Sequence, residues 1–464
     1  MRPIIKKISV SPHVDQSKDE AADRLNSRRF YRRLRRQALK AGITFAEARH
    51  GRVLLDALRG GHPSQFKKKN KRKTKTANRI RLKNFSFVDN PKDTLERLRD
   101  IAIADAQGQP YYVDFLDSTC FDIAPYLTFG LIRREMQTSL CKGGKIQDEL
   151  CDVISSLGMN RFLNMRYSLK PGANAIQPFP MIQQSRRLST ANDHHLEKTR
   201  KEAAAGRFAE SLDSWLHNIG YELNDAGLDN VRAFVGEILD NTRHAILSVN
   251  GEGDSDWCIA GFLARRKRAD GSVQLACHLA LISLGRCVAE TLDNASKTLP
   301  DLKRRIDDYC NKHTGYNRAY DRDALITAMS LTDRITCQPP ESTVKAGCGM
   351  STFIGLINFL GAGQRLDELP AFTIVSGTSC VRVNHPFNNM VEHKDQDGNI
   401  TRFQCFNPQQ NGSLPPSGDH VYKLPFKFPG TVIAARFFLD RQTLDQRYEA
   451  VNTEPPKSNG TSSS

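Results

Sequence analysis

The periodicity of hydrophobic residues changes along the chain and predicts helices interspersed with strands. Apolar residues spaced three and four positions apart predict helices at 126–140, 146–162, 231–246 and 323–329, and a helix after Gly349 in the segment 345–360. Runs of β-branched and aromatic residues bounded by turn formers predict strands at 111–115, at the start of 279–292, at 371–383 and at 429–438. This succession of elements predicts an α/β protein.

Polar and turn-forming stretches between these elements suggest where domains begin and end. A length of 464 residues is enough for two or three domains. We expect a basic, partly helical N-terminal arm at 1–85, a small α/β module at 86–180, a linker at 181–200, an α/β domain at 201–444 and a disordered tail at 445–464. Within the α/β domain, the long polar segment at about 296–344 is expected to be an insertion.

Positive charge is concentrated in the N-terminal arm. The whole chain has a formal net charge of +16, but residues 1–85 hold 25 Lys and Arg against 6 Asp and Glu, a net +19, and the remainder is −3. Three interpretations of this arm are open: it is a solvated, flexible segment, it binds an acidic protein, or it contacts DNA or RNA phosphates. The candidate nucleic-acid contacts are Arg28, Arg29, Arg32, Arg33, Lys67, Lys68, Lys69, Lys71, Arg72 and Lys73.

Composition excludes several classes of protein. No run reaches the ~18 apolar residues of a membrane span, and the N-terminal segment lacks the apolar core of a secretory signal. The 11 cysteines form no CxxC pair, so we expect reduced thiols, most of them buried, in a cytoplasmic protein. The histidines form no HExxH motif, and a metalloenzyme of that kind is not expected.

The helix predicted at 231–246 (VRAFVGEILDNTRHAI) carries the most specific candidate chemistry. Glu237 and Asn241 are four positions apart and therefore share one helix face. A carboxylate there can orient and deprotonate a water molecule, and a carboxamide oxygen can bind the Mg²⁺ that bridges nucleotide phosphates. The same spacing also arises by chance on amphipathic surface helices, so the pair alone does not decide the function.

Glycines stand at two further places where a phosphate group could be held. Gly285 follows the strand that begins the segment 279–292, and Gly347 and Gly349 stand just before an apolar helical run. Glycine allows the backbone to approach phosphates closely, and a helix N-terminus offers free N–H groups. Each glycine also has a simpler explanation as a turn residue.

In this order, the segments over about residues 200–440 resemble the GHKL ATPase superfamily, which includes gyrase B, heat-shock-type chaperones, sensor histidine kinases and MutL. EILDNTRHA is similar to the family's N-box, LISLGRCV stands at the first glycine box, and GCGMS resembles the second. The resemblance implies a Bergerat-type α/β sandwich, a mixed sheet covered by helices, that binds ATP with Mg²⁺. It implies Glu237 as the general base, Asn241 as the Mg²⁺ ligand, and nucleotide contacts from Asn241, His244, Ser283, Gly285, Gly347, Gly349, Met350, Thr378 and Thr431.

Two positions depart from the family's pattern. Ser283 replaces the Asp that hydrogen-bonds the adenine amino group, and Cys287 replaces the second glycine of the first box. The segment at about 296–344 corresponds to the family's mobile ATP lid, although a solvated insertion fits its composition equally well. Lys303, Arg305 and Arg322 are its candidate γ-phosphate contacts.

The N-terminal module has its own resemblance. A strand that includes VDF at 113–115, a Pro-marked turn and two helices are similar to a STAS-type module. Pro125 and Tyr126 stand where STAS domains switched by phosphorylation have Ser or Thr, so a structural or docking module is expected in place of a phosphoswitch.

The sequence leaves three functions open. The leading hypothesis is an ATP-hydrolysing switch whose nucleotide state reorganises the lid and a homodimer interface, while the basic arm contacts nucleic acid or an acidic partner. The family context suggests a setting in bacterial regulation or phage defence. The alternatives are a GHKL-type protein kinase that acts on a partner, and a nucleotide-sensing scaffold without turnover.

Overall fold

The longest apolar runs of the chain form the centre of an antiparallel sheet. The computed structural model describes residues 53–60, 63–66, 78–108, 110–136, 140–165, 176–184, 194–244, 256–268, 270–333, 335, 349–361, 365–394 and 400–453. The strands in this part are β1 (Asn78–Leu82), β2 (Tyr111–Phe115), β3 (Ile176–Gln184), β4 (Asp256–Lys267), β5 (Val273–Leu284), β6 (Ala371–Val383), β7 (Val391–Lys394), β8 (Ile400–Phe403) and β9 (Val421–Leu439).

The α-helices of the same part precede, separate and follow these strands. They are α1 (Val53–Arg59), α2 (Pro63–Phe66), α3 (Pro91–Ala106), α4 (Ala124–Glu135), α5 (Asp148–Ser156), α6 (His194–Leu216), α7 (Asp225–His244), α8 (Val288–Ser296), α9 (Pro300–His313), α10 (Arg322–Met329), α11 (Gly349–Leu360) and α12 (Arg441–Thr453). The α/β class predicted from the sequence is confirmed.

The main sheet has five strands in the order β3-β4-β5-β9-β6, and every neighbouring pair is antiparallel. This corrects the expectation of a mixed sheet. Two smaller pairs lie outside it, the parallel pair β1-β2 and the antiparallel hairpin β7-β8.

The main sheet buries both of its faces. Along β5, the alternate residues Leu275, Cys277, Leu279 and Leu281 join one hydrophobic core, which we call the front core, while Ala276, Ala280 and Ile282 join another, the back core. Helices α6 to α11 contribute to the front core, and α1, α3, α4 and α5 with the β1-β2 pair contribute to the back core. A strand buried on both sides needs apolar residues at nearly every position, as β5 has.

Charged side chains fix the N-terminal layer to the back of the sheet. Arg436 of β9 forms a two-pronged ion pair with Asp89 at 2.7 and 2.9 Å, and Arg266 of β4 donates to Glu149 at 2.7 Å. Arg382 of β6 donates to the carbonyl oxygen of Val88 at 3.3 Å. The segment from Val53 onward clusters into one compact unit, which contains both the expected module and the expected α/β domain.

The structure moves two of the expected boundaries. Strand β3, at 176–184, pairs with β4 in the main sheet, although the module was expected to end at 180 and a linker to follow. The C-terminal end of the expected arm is folded, because β1 buries Ile80 and Leu82 in the back core. Both differences come from pairing partners that are distant in sequence.

The described part of the expected insertion is packed against the front core. Helices α9 and α10 fall within 296–333, and α9 buries Leu302, Ile306 and Cys310. The helix predicted at 323–329 is confirmed as α10, which packs on the body of the protein. Residues 334 and 336–344 of the expected lid lie outside the described part of the chain.

The cysteines and the apolar content of the helices were both subjects of prediction from composition. The nine cysteines in the described part are free thiols, and eight of them are buried. None of the helices in this part is both long and apolar enough to cross a membrane.

Candidate functional site

A row of polar residues crosses four adjacent strands on the front of the main sheet. Trp257 of β4 is the direct cross-strand partner of Ser283 on β5, Ser283 is the partner of Thr431 on β9, and Thr431 is the partner of Ser376 on β6. Alternation along each strand places these side chains on the face that carries the front core. The row therefore interrupts an otherwise apolar surface near the turn that joins β5 to α8.

The hydroxyl groups in one half of this row, on Ser376 and Thr431, have hydrogen-bond partners within the protein. The hydroxyl of Ser376 lies 2.7 Å from that of Thr431, and it accepts a hydrogen bond from the backbone N–H of Val288 at 2.8 Å. Val288 is the first residue of α8, so Ser376 connects the sheet to the N-terminus of that helix. This contact fixes the position of the turn at Gly285.

The other half of the row has unused hydrogen-bonding groups. Ser283 is 3% exposed and Trp257 is 2% exposed. Within the described part of the chain, neither Ser283 Oγ nor Trp257 Nε1 has a hydrogen-bond partner. Burying such groups without partners costs about 1–3 kcal/mol each, which makes them candidates for ligand contacts.

The first turn of α8 is capped by its own residues. Cys287 Sγ accepts from the N–H of Glu290 at 3.4 Å, and Glu290 Oε2 accepts from the N–H of Cys287 at 3.0 Å. Lys427 of β9 donates to the other oxygen of Glu290 at 2.6 Å. Burial acts to raise the pKa of Glu290, but the hydrogen bonds from Lys427 and Cys287, together with the charge of Lys427, outweigh it, so the pKa lies below its ordinary value. Burial also raises the pKa of the Cys287 thiol to about 11, which keeps it protonated at neutral pH.

Two glycines beside the row are required by close packing within the protein. A Cβ atom on Gly430 would lie 2.0 Å from the carbonyl oxygen of Ser283. Gly377 has a φ of +60°, and its Cβ atom would lie 2.9 Å from that of Cys287. Gly285 has a φ of 143° and donates to the carbonyl oxygen of Pro429 at 3.1 Å. These glycines allow the β5–α8 turn and the β9 bend to touch.

The predicted catalytic helix lies over the front of the sheet. Helix α7 buries Val231, Val235 and Ile238 in the front core, and it contacts α11. Glu237 and Asn241 lie one turn apart on α7, and His244 is its last residue. Their backbone is described, whereas the side chains of Glu237, Asn241 and His244 lie outside the described part.

Helix α11 begins at Gly349, within the segment predicted to be the second glycine box. Met350 is partly buried against the front core. The hydroxyl of Ser351 donates to Asp333, which also accepts from the backbone N–H of Arg402 on β8 at 3.0 Å. Asp333 thus ties the first turn of α11 to the β7-β8 hairpin. Gly347 lies outside the described residues.

The other residues predicted to contact nucleotide or nucleic acid lie away from the polar row or outside the described part of the chain. Thr378 lies at the irregular part of β6, where the register with β9 shifts, and it does not belong to the polar row. Arg322 forms ion pairs with Asp293 at 3.3 Å and Asp307 at 3.1 Å, so its charge is shared with two carboxylates of the protein. The predicted nucleic-acid contacts between Arg28 and Lys73 lie outside the described part of the chain.

Sequence reasoning missed Trp257, Ser376 and Asp333 as members of this site. The sequence did contain one signal, since Ser376-Gly377 stands at a bend in the strand predicted at 371–383. Trp257 and Asp333 carry no local signal, because their roles depend on cross-strand register and on a contact with β8. Within the described residues, no group of three or more His, Cys, Asp or Glu side chains forms a metal-binding cluster.

Comparison of this chain with protein-family models, curated proteins and solved structures gave no match.

Proposed function

We propose that this protein binds ATP with Mg²⁺ in a GHKL-type site on the front of the main sheet and hydrolyses it as a conformational switch. The proposal includes a Bergerat-type arrangement of residues 201–444 in which the sheet is antiparallel in place of mixed. In it, the N-terminal layer at the back of the sheet is an addition to the nucleotide-binding part.

The observation that carries the proposal is the convergence of four sequence-distant segments on one face. Helix α7 with Glu237 and Asn241, the β5–α8 turn at Gly285, the start of α11 at Gly349, and β9 at Thr431 all belong to the front side of the sheet. They are separated by up to about 200 residues in sequence, so their proximity is a property of the fold. It supports an interpretation in which they act together.

The unsatisfied groups in the polar row fit a bound nucleobase. Ser283 Oγ can donate or accept a hydrogen bond, and Trp257 Nε1 can only donate. A heteroaromatic base offers both kinds of group at its edge and would satisfy both atoms. When bound with the nucleotide, Mg²⁺ would offset the phosphate charge, and Asn241 is the proposed ligand.

In the proposed reaction, Glu237 orients a water molecule and accepts its proton as the water attacks the terminal phosphorus. The N-terminus of α11 provides backbone N–H groups on the phosphate side of the site. Asp333, through Ser351, holds the first turn of that helix in place. At the N-terminus of α8, the N–H groups of Val288 and Glu290 already donate to Ser376 and Cys287, so we assign the phosphates to α11.

ATP binding and turnover by Glu237→Ala and Asn241→Ala variants test this proposal. We expect Glu237→Ala to bind ATP but to release phosphate at least about 100-fold more slowly, the usual contribution of a general base. We expect Asn241→Ala to lose Mg²⁺-dependent binding. Glu222→Ala is a matched control, because Glu222 precedes α7 and lies outside the convergent segments.

Two results would reject the proposal. One is an absence of ATP binding by the wild-type protein, measured as a missing thermal shift at millimolar ATP with Mg²⁺. The other is wild-type binding in Asn241→Ala together with wild-type turnover in Glu237→Ala.

A nucleotide sensor without hydrolysis is the second candidate, and one observation favours it. The position expected to hold an Asp carries the neutral, 3% exposed Ser283. If ATP raises the melting temperature of the wild-type protein but no phosphate is released, the sensor replaces the ATPase. If the phosphate is transferred to a partner protein, a kinase replaces both.

The basic arm completes the proposed function. Its net charge of +19 would bring the protein to DNA or RNA, or to an acidic protein, independently of the nucleotide site. A binding constant that falls steeply with added salt is the expected signature of phosphate contacts. Binding that is insensitive to salt would exclude them.

A further inference from the structure

A basic groove lies on the N-terminal layer, away from the polar row. It has a volume of 520 Å³ and runs between strand β1 and one side of helix α3. Arg79 and Arg81 of β1 and Arg97 of α3 line it, together with a single carboxylate, that of Asp100. Three guanidinium groups against one carboxylate make the groove electropositive.

Among the residues that the structure describes, β1 pairs with β2 alone, so its other edge has no strand partner there. The carbonyl oxygen of Leu82 accepts from the N–H of Leu116 at 2.9 Å, so the polar backbone groups of Leu82 point toward β2. Because these groups alternate along a strand, those of Arg79 and Arg81 point away from β2. The free edge therefore offers two backbone N–H donors beside the two arginine side chains.

The arginines of the groove differ in how they are held. Arg79 is fixed by two hydrogen bonds to Asp114, at 2.8 and 2.9 Å, and lies over the ring of Tyr112 at 5.0 Å. Arg97 makes an exposed ion pair with Asp100 at 3.2 Å. Arg81 is exposed and has no ion-pair partner among the residues that the structure describes. The groove thus combines Arg79, which Asp114 holds in place, with Arg97, whose exposed ion pair a phosphate can replace, and with Arg81.

The sequence around the groove strengthens its positive charge. Residues 67–83 contain ten Lys and Arg, and no Asp or Glu occurs between Asp56 and Asp89. Strand β1 is the C-terminal end of this run. Seven of the ten cations precede β1 directly in sequence and lie outside the described residues.

We propose that the groove between β1 and α3 binds the phosphate backbone of a nucleic acid, with Arg81 and Arg97 as the main contacts. Backbone N–H groups and arginines are the usual partners of phosphate oxygens. Tyr112 lies beneath the guanidinium of Arg79 and is not among the lining residues, so the expected contact is with phosphates and does not involve base stacking. The inference rests on the proposed nucleic-acid contact of the arm and gives that contact a defined place on the folded body.

The test is nucleic-acid binding by the full chain across a salt series. Fluorescence anisotropy would follow fluorescein-labelled DNA and RNA oligonucleotides of random sequence, single-stranded and duplex, with wild type and the double variant Arg81→Ala/Arg97→Ala. We expect the double variant to bind at least about fivefold more weakly. The slope of log K against log salt should shrink by about 1.4 for single strands and about 1.8 for duplexes, the values for two lost phosphate contacts.

A matched control is the double variant Arg232→Ala/Arg318→Ala. Arg232 makes an exposed ion pair with Asp229, as Arg97 does with Asp100, and Arg318 is exposed, as Arg81 is. This control removes the same charge from outside the groove and should retain the wild-type salt slope. Circular dichroism and melting temperature confirm that each variant is folded.

Three results separate the possibilities. If both double variants have the wild-type slope while replacement of Lys67 to Lys73 by Gln abolishes binding, the arm binds nucleic acid and the groove does not. If both double variants weaken binding equally, the effect is one of net charge, and the groove is again rejected. If wild type binds a Glu-rich peptide more tightly than any oligonucleotide, and Arg81→Ala/Arg97→Ala removes that binding, the groove serves an acidic protein and the proposal is overturned.

Discussion

The hydroxyl of Ser376 on β6 lies 2.7 Å from that of Thr431 on β9, and the same oxygen accepts the N–H of Val288. One side chain thus joins two strands of the main sheet to the N-terminus of α8. The contact lies beside two buried groups, on Ser283 and Trp257, that the described part of the protein leaves without partners. Satisfied and unsatisfied groups therefore adjoin in one row.

Ser376→Ala should lower the free energy of unfolding by about 0.5–1.5 kcal/mol, because it removes the acceptor of the half-buried N–H of Val288. Ser379→Ala is the matched control, since Ser379 is equally buried on the same strand but its hydroxyl has no partner in the described part. That change should have little effect or increase stability. Urea unfolding measures both, and equal losses would contradict the assigned role of Ser376.

Ser283→Ala should separate stability from ligand binding. Without nucleotide, loss of an unsatisfied buried hydroxyl should leave the free energy of unfolding unchanged or raise it. With ATP, loss of one hydrogen bond worth about 0.5–1.5 kcal/mol should weaken binding by about 2- to 12-fold. Isothermal titration calorimetry measures the affinity. An unchanged ATP affinity would show that Ser283 does not contact the nucleotide.

His278→Phe should reduce the loss of stability in mild acid. His278 is fully buried at the back of β5 and stacks on Phe262 with ring centres 4.6 Å apart. Burial, and then the charges of Arg266 and Arg436, hold its pKa well below 6.5. The unfolded chain therefore binds a proton that the folded protein does not, and stability falls as pH drops below about 6.5.

The expected slope from His278 is up to about 1.4 kcal/mol per pH unit. Phe has a similar shape and no ring nitrogen, so the variant should lose this part of the pH dependence. Urea unfolding at pH 7.5 and pH 5 measures it, with the exposed His217→Gln as control. A variant with the wild-type difference between the two pH values would contradict the prediction.

Arg79→Met should destabilise the protein more at neutral pH than in strong acid. The hydrogen bond from Arg79, with that from the backbone of Lys145, lowers the pKa of Asp114 to about 2. A lowered carboxyl pKa stabilises the fold above the unfolded value of about 4, and this stabilisation is lost as pH falls toward 2.

The difference in unfolding free energy between wild type and Arg79→Met should therefore shrink between pH 4 and pH 2. Arg232→Met, which removes an exposed ion pair with Asp229, should show a smaller and flatter difference. Chemical denaturation across this range distinguishes the two. A pH-independent effect of Arg79→Met would mean that packing on Tyr112 is its main contribution.

Local sequence patterns predicted the helices and strands that a run of consecutive residues specifies. The strand at 111–115, the strand–turn–helix at 279–292 and the helix at 323–329 appear where periodicity placed them. Strand β3 was missed, because IQPFPMIQQ contains two prolines and alternates poorly. Proline is tolerated there because β3 is an edge strand of the main sheet, a fact that depends on its pairing with β4.

The sequence by itself determined the α/β class, the helix that carries Glu237 and Asn241, and the concentration of positive charge near the N-terminus. Helical and strand periods, glycine positions and net charge are properties of neighbouring residues, and they can be read without a fold. Only the tertiary structure decided that the N-terminal segment covers the back of the sheet and that Trp257, Ser283, Thr431 and Ser376 form one row. Both depend on strand register, because a shift of one residue would turn each of these side chains to the opposite face.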